Sequence, residues 1–354
     1  MNRKTILRGG LVCDGSGAAP APGEILIENE LIAAVGKPGT FRETEAEIID
    51  CTGRVTAPGF IDAHSHGELR KLRFPDNRSK LLQGVTTEVD GNCGASPSCV
   101  PGEAGGMRWS DLNGYIKRLE SCPVSTNTVS LCGHNSVRAA VMGTSSAAPT
   151  SDQLKAMQRM LKDTFAAGAA GWSSGLTYFP GKFATTEELE ALSETTKGTE
   201  KIYATHMRSE GDELLEAVGE AVRIARSGSE RLQISHLKTI FRRNFHKIDA
   251  LMNALGSARS EGLFLHADRY PYIYTSTSIR QALPPPYFFE HDIASKMRAS
   301  SSFRETVAAA LKDCPRDLPT TIIPRLCRDL TELAAERGVS VEHVCTLRIV
   351  TVYD

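Results

Sequence analysis

The sequence predicts an α/β protein: a parallel barrel of the TIM-like (β/α)8 type, with a small N-terminal β-sandwich domain ahead of it. Three observations predict it. The first 56 residues read as short strands and turns. From Ala57 onward, short apolar runs alternate with longer helical patterns, the mark of repeated β-α units and a parallel sheet. Residues capable of metal chemistry fall just past the ends of those runs, on the face where such barrels build their sites.

In chain order, Ile6–Val12 and Glu24–Glu28 are brief apolar or alternating runs separated by the Gly-, Ala- and Pro-rich stretch from Asp14 to Gly23. A small antiparallel sheet over residues 1–56 fits them. The barrel, residues 57–354, then offers strand candidates at Phe60–Asp62, Val85–Val89, Val129–Cys132, Gly171–Ser173, Ile202–Ala204, Leu232–Ser235 and Leu263–Ala267. Helical patterns lie between them at Ser151–Ala167, Thr186–Thr195, Glu213–Arg226 and Ile248–Ser260. Ser151-Asp152 and Thr185-Thr186 read as helix N-caps. That makes seven strands where a closed barrel needs eight. Leu347–Tyr353 reads either as an atypical eighth strand or as a cut end, so the barrel is expected to be incomplete at its C-terminus.

Composition sets the limits. A length of 354 residues suffices for one large barrel and a small appendage. With 41% hydrophobic and 23% charged residues, the chain is an ordinary globular protein rather than a disordered one. A net charge of −1 gives no drive toward nucleic acid or an anionic membrane. No apolar run approaches bilayer length, and the basic start Met1–Thr5 is not followed by a signal-peptide stretch. Nine cysteines, an odd number at irregular spacings, are no disulfide framework, and the expected setting is a reducing cytoplasm.

The chemistry converges from distant places. Phe60–Asp62 leads to His64-Ser65-His66, Val85–Val89 to Cys93, Ile202–Ala204 to His206, and Leu232–Ser235 to His236. In a β/α barrel the C-terminal ends of all strands share one face. Taken singly, His-x-His is a common loop pair, His206 or His236 a core histidine, and Cys93 a buried thiol. Jointly, four imidazoles and a thiolate at four strand ends form a transition-metal ligand set, with zinc the default ion. His64 and His66, two apart in extended chain, point to the same side.

These segments also carry a resemblance. Ala57-Pro58-Gly59-Phe60-Ile61-Asp62-Ala63-His64-Ser65-His66 resembles the first-strand signature of the amidohydrolase superfamily. Gly91-Asn92-Cys93-Gly94 is similar to the setting in which N-acyl-D-amino-acid deacylases (D-aminoacylases) place a cysteine where most relatives have a carboxylated lysine or a glutamate. Gly171–Tyr178, Ala204–Gly211, Ile234–Lys238 and Asp268–Tyr272 resemble the same subfamily, so the likeness runs from about residue 1 to about residue 345. It implies zinc-dependent hydrolysis of the linear amide of a small-molecule N-acyl-D-amino acid. It implies a tight zinc site of Cys93, His206 and His236 and a weaker second site using His64 and His66. It also implies that Lys238 and Tyr270, with help from Ser276, hold the substrate α-carboxylate; an ammonium and a phenol suit an anionic substrate end.

Two departures follow. Arg269 precedes Tyr270 where relatives tend to carry a small or apolar residue. No Ser-Asp-Gly follows His236, so the strand-eight aspartate that acts as the acid/base is expected to be missing and no catalytic residue is assigned. Asp354 ends a strand-like run but lacks the glycine turn. A C-terminally truncated, weakly active or inactive deacylase is the expectation, since a positioned acid/base contributes on the order of 10²–10⁴ in rate. The alternatives are a dihydropyrimidinase-like cyclic amidase, which Cys93, Lys238 and Tyr270 argue against, and a non-catalytic metal-binding remnant.

Overall fold

The computed structural model describes residues 3–42, 46–272, 283, 287, 293–312, 322–323 and 328–341. They fall into two compact units. The first comprises Met1–Arg208, Gly219–Ser235 and Ala258–Asp268, and the second Ser209–Val218, His236–Ser257 and Arg269–Asp354.

The first unit opens with seven short strands: β1 (Lys4–Arg8), β2 (Leu11–Val12), β3 (Ala21–Pro22), β4 (Glu24–Glu28), β5 (Leu31–Gly36), β6 (Glu47–Asp50) and β7 (Val55–Thr56). They make a four-stranded sheet in the order β5-β4-β1-β6 and a three-stranded one in the order β3-β2-β7. Antiparallel β1–β4 and β4–β5 pairs are joined by parallel β1–β6 and β2–β7 pairs, so the sheets are mixed rather than purely antiparallel. Ile6, at the centre of β1, is fully buried, as an inward-facing strand residue must be.

Then come β8 (Phe60–Asp62), β9 (Val85–Asp90), a hairpin of β10 (Gly102–Ala104) and β11 (Met107–Trp109), β12 (Asn127–Gly133), β13 (Gly171–Gly175), β14 (Ile202–His206), β15 (Arg231–Ile234) and β16 (Phe264–Ala267). All seven expected barrel strands are present, several a residue or two longer than their apolar runs. Their sheet order is β16-β15-β14-β13-β12-β9-β8, every pair parallel and the order sequential. That is the winding of a TIM-like β/α barrel. The hairpin of β10 and β11 was not expected from the sequence. Leu347–Tyr353, the candidate eighth strand, lies outside the described residues.

Burial on both faces explains the strand sequences. All five residues of β13 are buried, and Trp172 stacks on Tyr203 of β14 with ring centroids 4.3 Å apart. Ser174 on β13 satisfies its hydroxyl with Tyr203 Oη and Thr205 Oγ1, both at 2.8 Å. The helix Ser151–Ala166 is started by Thr150, one residue before the expected cap, in a reciprocal capping box with Gln153. Thr185 caps Thr186–Ser193 by accepting from the Glu188 N–H.

The second unit includes helices Ile293–Ala299, Ser301–Leu311 and Leu330–Arg337. Among the described residues no helix is long and apolar enough to cross a membrane.

Candidate metal centre

In the first unit, the loop after β8 is held by the strand beside it. The Ser65 N–H donates to the Val89 carbonyl at 2.9 Å, and the Gly67 N–H to Asp90 Oδ1 at 2.8 Å. Ser65 Oγ donates to Glu88 Oε1 at 2.9 Å. Glu88 and Asp90 are two apart on β9 and so face the same side. Buried there, they require a cation, and Lys71 supplies it: its ammonium lies 2.6 Å from Asp90 and 3.2 Å from Glu88, and donates to Thr128 Oγ1 at 2.9 Å. Asn77, Thr126 and Lys80 add contacts to Glu88. Burial pushes the Glu88 carboxyl up, but Lys71 and its hydrogen bonds outweigh that and hold it below its ordinary value.

The Gly91-Asn92-Cys93-Gly94 turn follows β9, and its two glycines have separate physical reasons. Both lie at positive φ, and a Cβ on either would come within 2.1 Å of a neighbour: the Leu131 carbonyl for Gly91, the Asn135 amide oxygen for Gly94. Asn92 bonds the Val89 and Ala63 carbonyls at 2.9 and 3.3 Å, tying this turn to the histidine loop. Cys93 itself has φ of 52° and, in the second unit, His236 has 38°. Left-handed backbone at non-glycine residues costs on the order of 1–3 kcal/mol and clusters where function demands it.

The side chains converge accordingly. Cys93 Sγ lies 3.3 Å from His64 Nε2, and the His64 and His66 rings are 5.3 Å apart. Tetrahedral zinc holding one thiolate and one imidazole would separate S and N by about 3.5 Å. The donor set, two imidazoles and a thiol with two donor atoms already at that spacing, fits the ion. On its other side the His64 ring offers Nδ1 3.1 Å from Asp268 Oδ1, just past β16. β8 and β16 are the two ends of the strand order, so the sheet curls far enough to bring a residue just past each end within 3.1 Å of the other. A cavity of about 420 Å³ opens beside this pair, lined by His66 and Cys93 and by largely apolar walls that include Ala95, Ala139, Phe179 and Pro180. His206, the last residue of β14, is buried, with Nε2 2.9 Å from Thr177 Oγ1 and its ring 4.7 Å from that of Tyr178, which also lines the cavity.

The second unit holds the remaining expected residues. His236 Nδ1 is 2.6 Å from Glu210 Oε1. The Lys238 ammonium is paired with the same carboxylate, lies 3.1 Å from His236 Nδ1 and donates to the His236 carbonyl at 2.9 Å. It sits 5.5 Å from the centroid of the Tyr270 ring, over which Arg269 also lies, at 4.2 Å. Burial raises the Tyr270 phenol above its ordinary value, with Arg269 opposing. Ser276 lies outside the described residues. Sequence reasoning missed Glu210, Asp268 and the Lys71–Glu88–Asp90 cluster. The available signals were two acids at alternate positions of an inward-facing strand, and an acid next to each of two motifs.

A sequentially wound β/α barrel with imidazole and thiol donors on its rim defines a candidate metal site, and comparison gives the family. Residues 47–254 match the amidohydrolase family, and the chain belongs to it. Within that family it is 34% identical to a D-aminoacylase of Alcaligenes xylosoxydans xylosoxydans over 288 residues, 78% of this chain and 59% of the relative. It is also 34% identical to an N-acyl-D-glutamate deacylase of the same organism over 282 residues, 77% of this chain and 57% of that one. The chain thus spans less than two thirds of the length of these curated relatives. Among solved structures, an N-acyl-D-glutamate deacylase from Bordetella bronchiseptica, complexed with zinc and a phosphonate inhibitor, superposes with a TM-score of 0.79 at 29% identity, covering 97% of this chain and 69% of that one.

Proposed function

We propose that this chain is a zinc-binding N-acyl-D-amino-acid deacylase, a hydrolase of linear amides whose ligand is a small N-acyl amino acid. The observation that carries the reading is the His64–Cys93 pair, 3.3 Å apart on the rim of the sheet, in a chain 34% identical to two deacylases. Cys93, His206 and His236 form the proposed tight zinc site, with His64 and His66 the weaker second. When bound, zinc supplies Lewis-acid polarisation of a carbonyl and acidifies a water.

The chain's own residues do the rest. Lys238 and Tyr270, with Ser276, hold the α-carboxylate of the substrate. Because Glu210 already neutralises the Lys238 ammonium, an incoming carboxylate shares that cation rather than meeting it bare. The apolar walls beside His66 and Cys93 exclude water from one side of the centre. No residue among those described is assigned as acid/base. We place the division between β-sandwich and barrel near residue 56. We further propose a reducing, cytoplasmic setting; the described cysteines, Cys13, Cys51, Cys93, Cys99, Cys122 and Cys132, are all free thiols.

The test is zinc content by mass spectrometry together with release of free D-amino acid from N-acetyl-D-amino acids, for the chain and for Cys93→Ser. Stoichiometric zinc that falls in the variant, with D-selective release, is expected. A metal-free protein, or turnover of hydantoins and dihydropyrimidines in place of acyl-D-amino acids, overturns the reading.

A further inference from the structure

We propose that Asp268 is the positioning residue for His64: its carboxylate takes the Nδ1 side of the ring and so turns Nε2 toward the metal. The inference rests on the zinc reading above for its consequence, but not for its geometry. His64 presents Nε2 to Cys93 Sγ at 3.3 Å and Nδ1 to Asp268 Oδ1 at 3.1 Å, on opposite sides of one ring. A neutral imidazole carries one N–H and one lone pair. The carboxylate oxygen lies at ion-pair distance from Nδ1 but off the line of a hydrogen bond; its negative charge there favours the proton on Nδ1 and leaves the lone pair at Nε2, on the side where the thiol lies.

Asp268 is itself held in place. Its second oxygen, Oδ2, accepts from Gln233 Nε2 at 2.9 Å, and its backbone N–H donates to the Ile234 carbonyl at 3.1 Å. Both anchors are on β15, so the carboxylate's aim is set by the sheet and not by a loop. The His64 and Asp268 side chains are each 16% exposed, shielded enough for the contact to persist against water. Glu88 holds the Ser65 hydroxyl and Asp90 the Gly67 N–H, so both anchor the His64 loop from β9. Asp268, from the far end of the strand order, addresses the ring alone. The two controls are separate: one sets where the loop sits, the other which nitrogen it offers.

The experiment compares wild type, Asp268→Ala, Asp268→Asn, His64→Ala and the double variant Asp268→Ala/His64→Ala. Two readouts are used: Co²⁺ titration followed by d–d absorption, which reports an ion held by imidazoles with or without a thiolate, and ¹⁵N–¹H histidine spectra of the metal-free chain. Wild-type His64 should be the Nδ1–H tautomer without metal, and Asp268→Ala should lose that state. Asp268→Ala should weaken Co²⁺ binding at the His64-containing site by about 10–100-fold, as carboxylates behind ligand histidines do. Asp268→Asn, which keeps an acceptor oxygen, should lose less, and adding Asp268→Ala to His64→Ala should cost nothing further. An Nε2–H tautomer in wild type, or a full additional loss in the double variant, overturns the proposal. If wild type binds no Co²⁺, the zinc reading fails, and the tautomer spectra still decide the role of Asp268. If Asp268→Ala does not fold, the spectra of wild type and Asp268→Asn decide it.

Discussion

Replacing Lys71 by Met tests whether the buried charges under the histidine loop are a supporting frame. The Lys71, Glu88 and Asp90 side chains are each no more than 1% exposed. Lys71→Met keeps the aliphatic bulk but removes an ammonium that lies 2.6 Å from Asp90 and 3.2 Å from Glu88 and donates to Thr128 at 2.9 Å. Hydrogen bonds to charged groups contribute about 1.5–3 kcal/mol each. A plain sum overshoots, because Lys80, Ser65, Asn77 and Thr126 still hold Glu88. Asp90 keeps only the Gly67 N–H among these contacts, so the loss is dominated by one uncompensated buried carboxylate. Breaking a buried pair in this way costs about 3–5 kcal/mol, and about 4 is expected here. Urea unfolding followed by the fluorescence of Trp109 and Trp172, both buried in the first unit, measures it. Adding Asp90→Asn should recover at least about 1 kcal/mol by removing the stranded charge. A Lys71→Met loss below about 1 kcal/mol, or no recovery in the double variant, would refute the frame.

Other consequences are as direct. Burial, and then the charge of Asp90, raise the Glu68 carboxyl from 4.5 to about 8. A raised carboxyl contributes stability below its unfolded value and loses it as pH climbs through the folded one; the loss here is on the order of 5 kcal/mol between about pH 4.5 and 8. Glu68→Gln should flatten that decline, read as urea midpoints at mildly acidic and alkaline pH, and an unchanged slope would count against it. Thr150→Ala removes one half of the capping box and should cost about 1 kcal/mol in thermal or urea unfolding. Gly94→Ala forces a Cβ to 2.1 Å from the Asn135 amide oxygen at φ +74°. It should destabilise by at least about 1–2 kcal/mol and weaken zinc binding through Cys93, measured by chelator competition.

Much of this was legible in the residues. The seven barrel strands announce themselves because parallel strands buried on both faces are short apolar runs, and β13 shows why even Gly171-Trp172-Ser173-Ser174 qualifies. The rim histidines and Cys93 stand out because histidine and cysteine are scarce and their offsets from the runs are regular. What could not be read depends on register and curvature. Glu88 and Asp90 look like the wet side of a half-buried strand until Asp62 is seen opposite Glu88 and Ser130 opposite Asp90, which turns that side inward. Asp268 has no local signal of its own beside Tyr270; its meeting with His64 depends on the curl of the sheet. Glu210, four residues past His206, pairs with His236 instead, a partner that no local spacing indicates.

The His64–Asp268 contact also says something about the order in which the chain can mature. Its two residues stand about 200 positions apart, and closing a loop of that length costs on the order of 5 kcal/mol in chain entropy. Nothing local repays this; the contact is held by the wound sheet that separates its two residues in the chain. Cys93 and a loosely aimed His64 come early in the chain, whereas Asp268, which aims the ring, comes about 200 residues after His64. On the zinc reading proposed above, affinity that depends on the aimed ring needs the wound sheet, so metal binding would report on the fold as much as on the site.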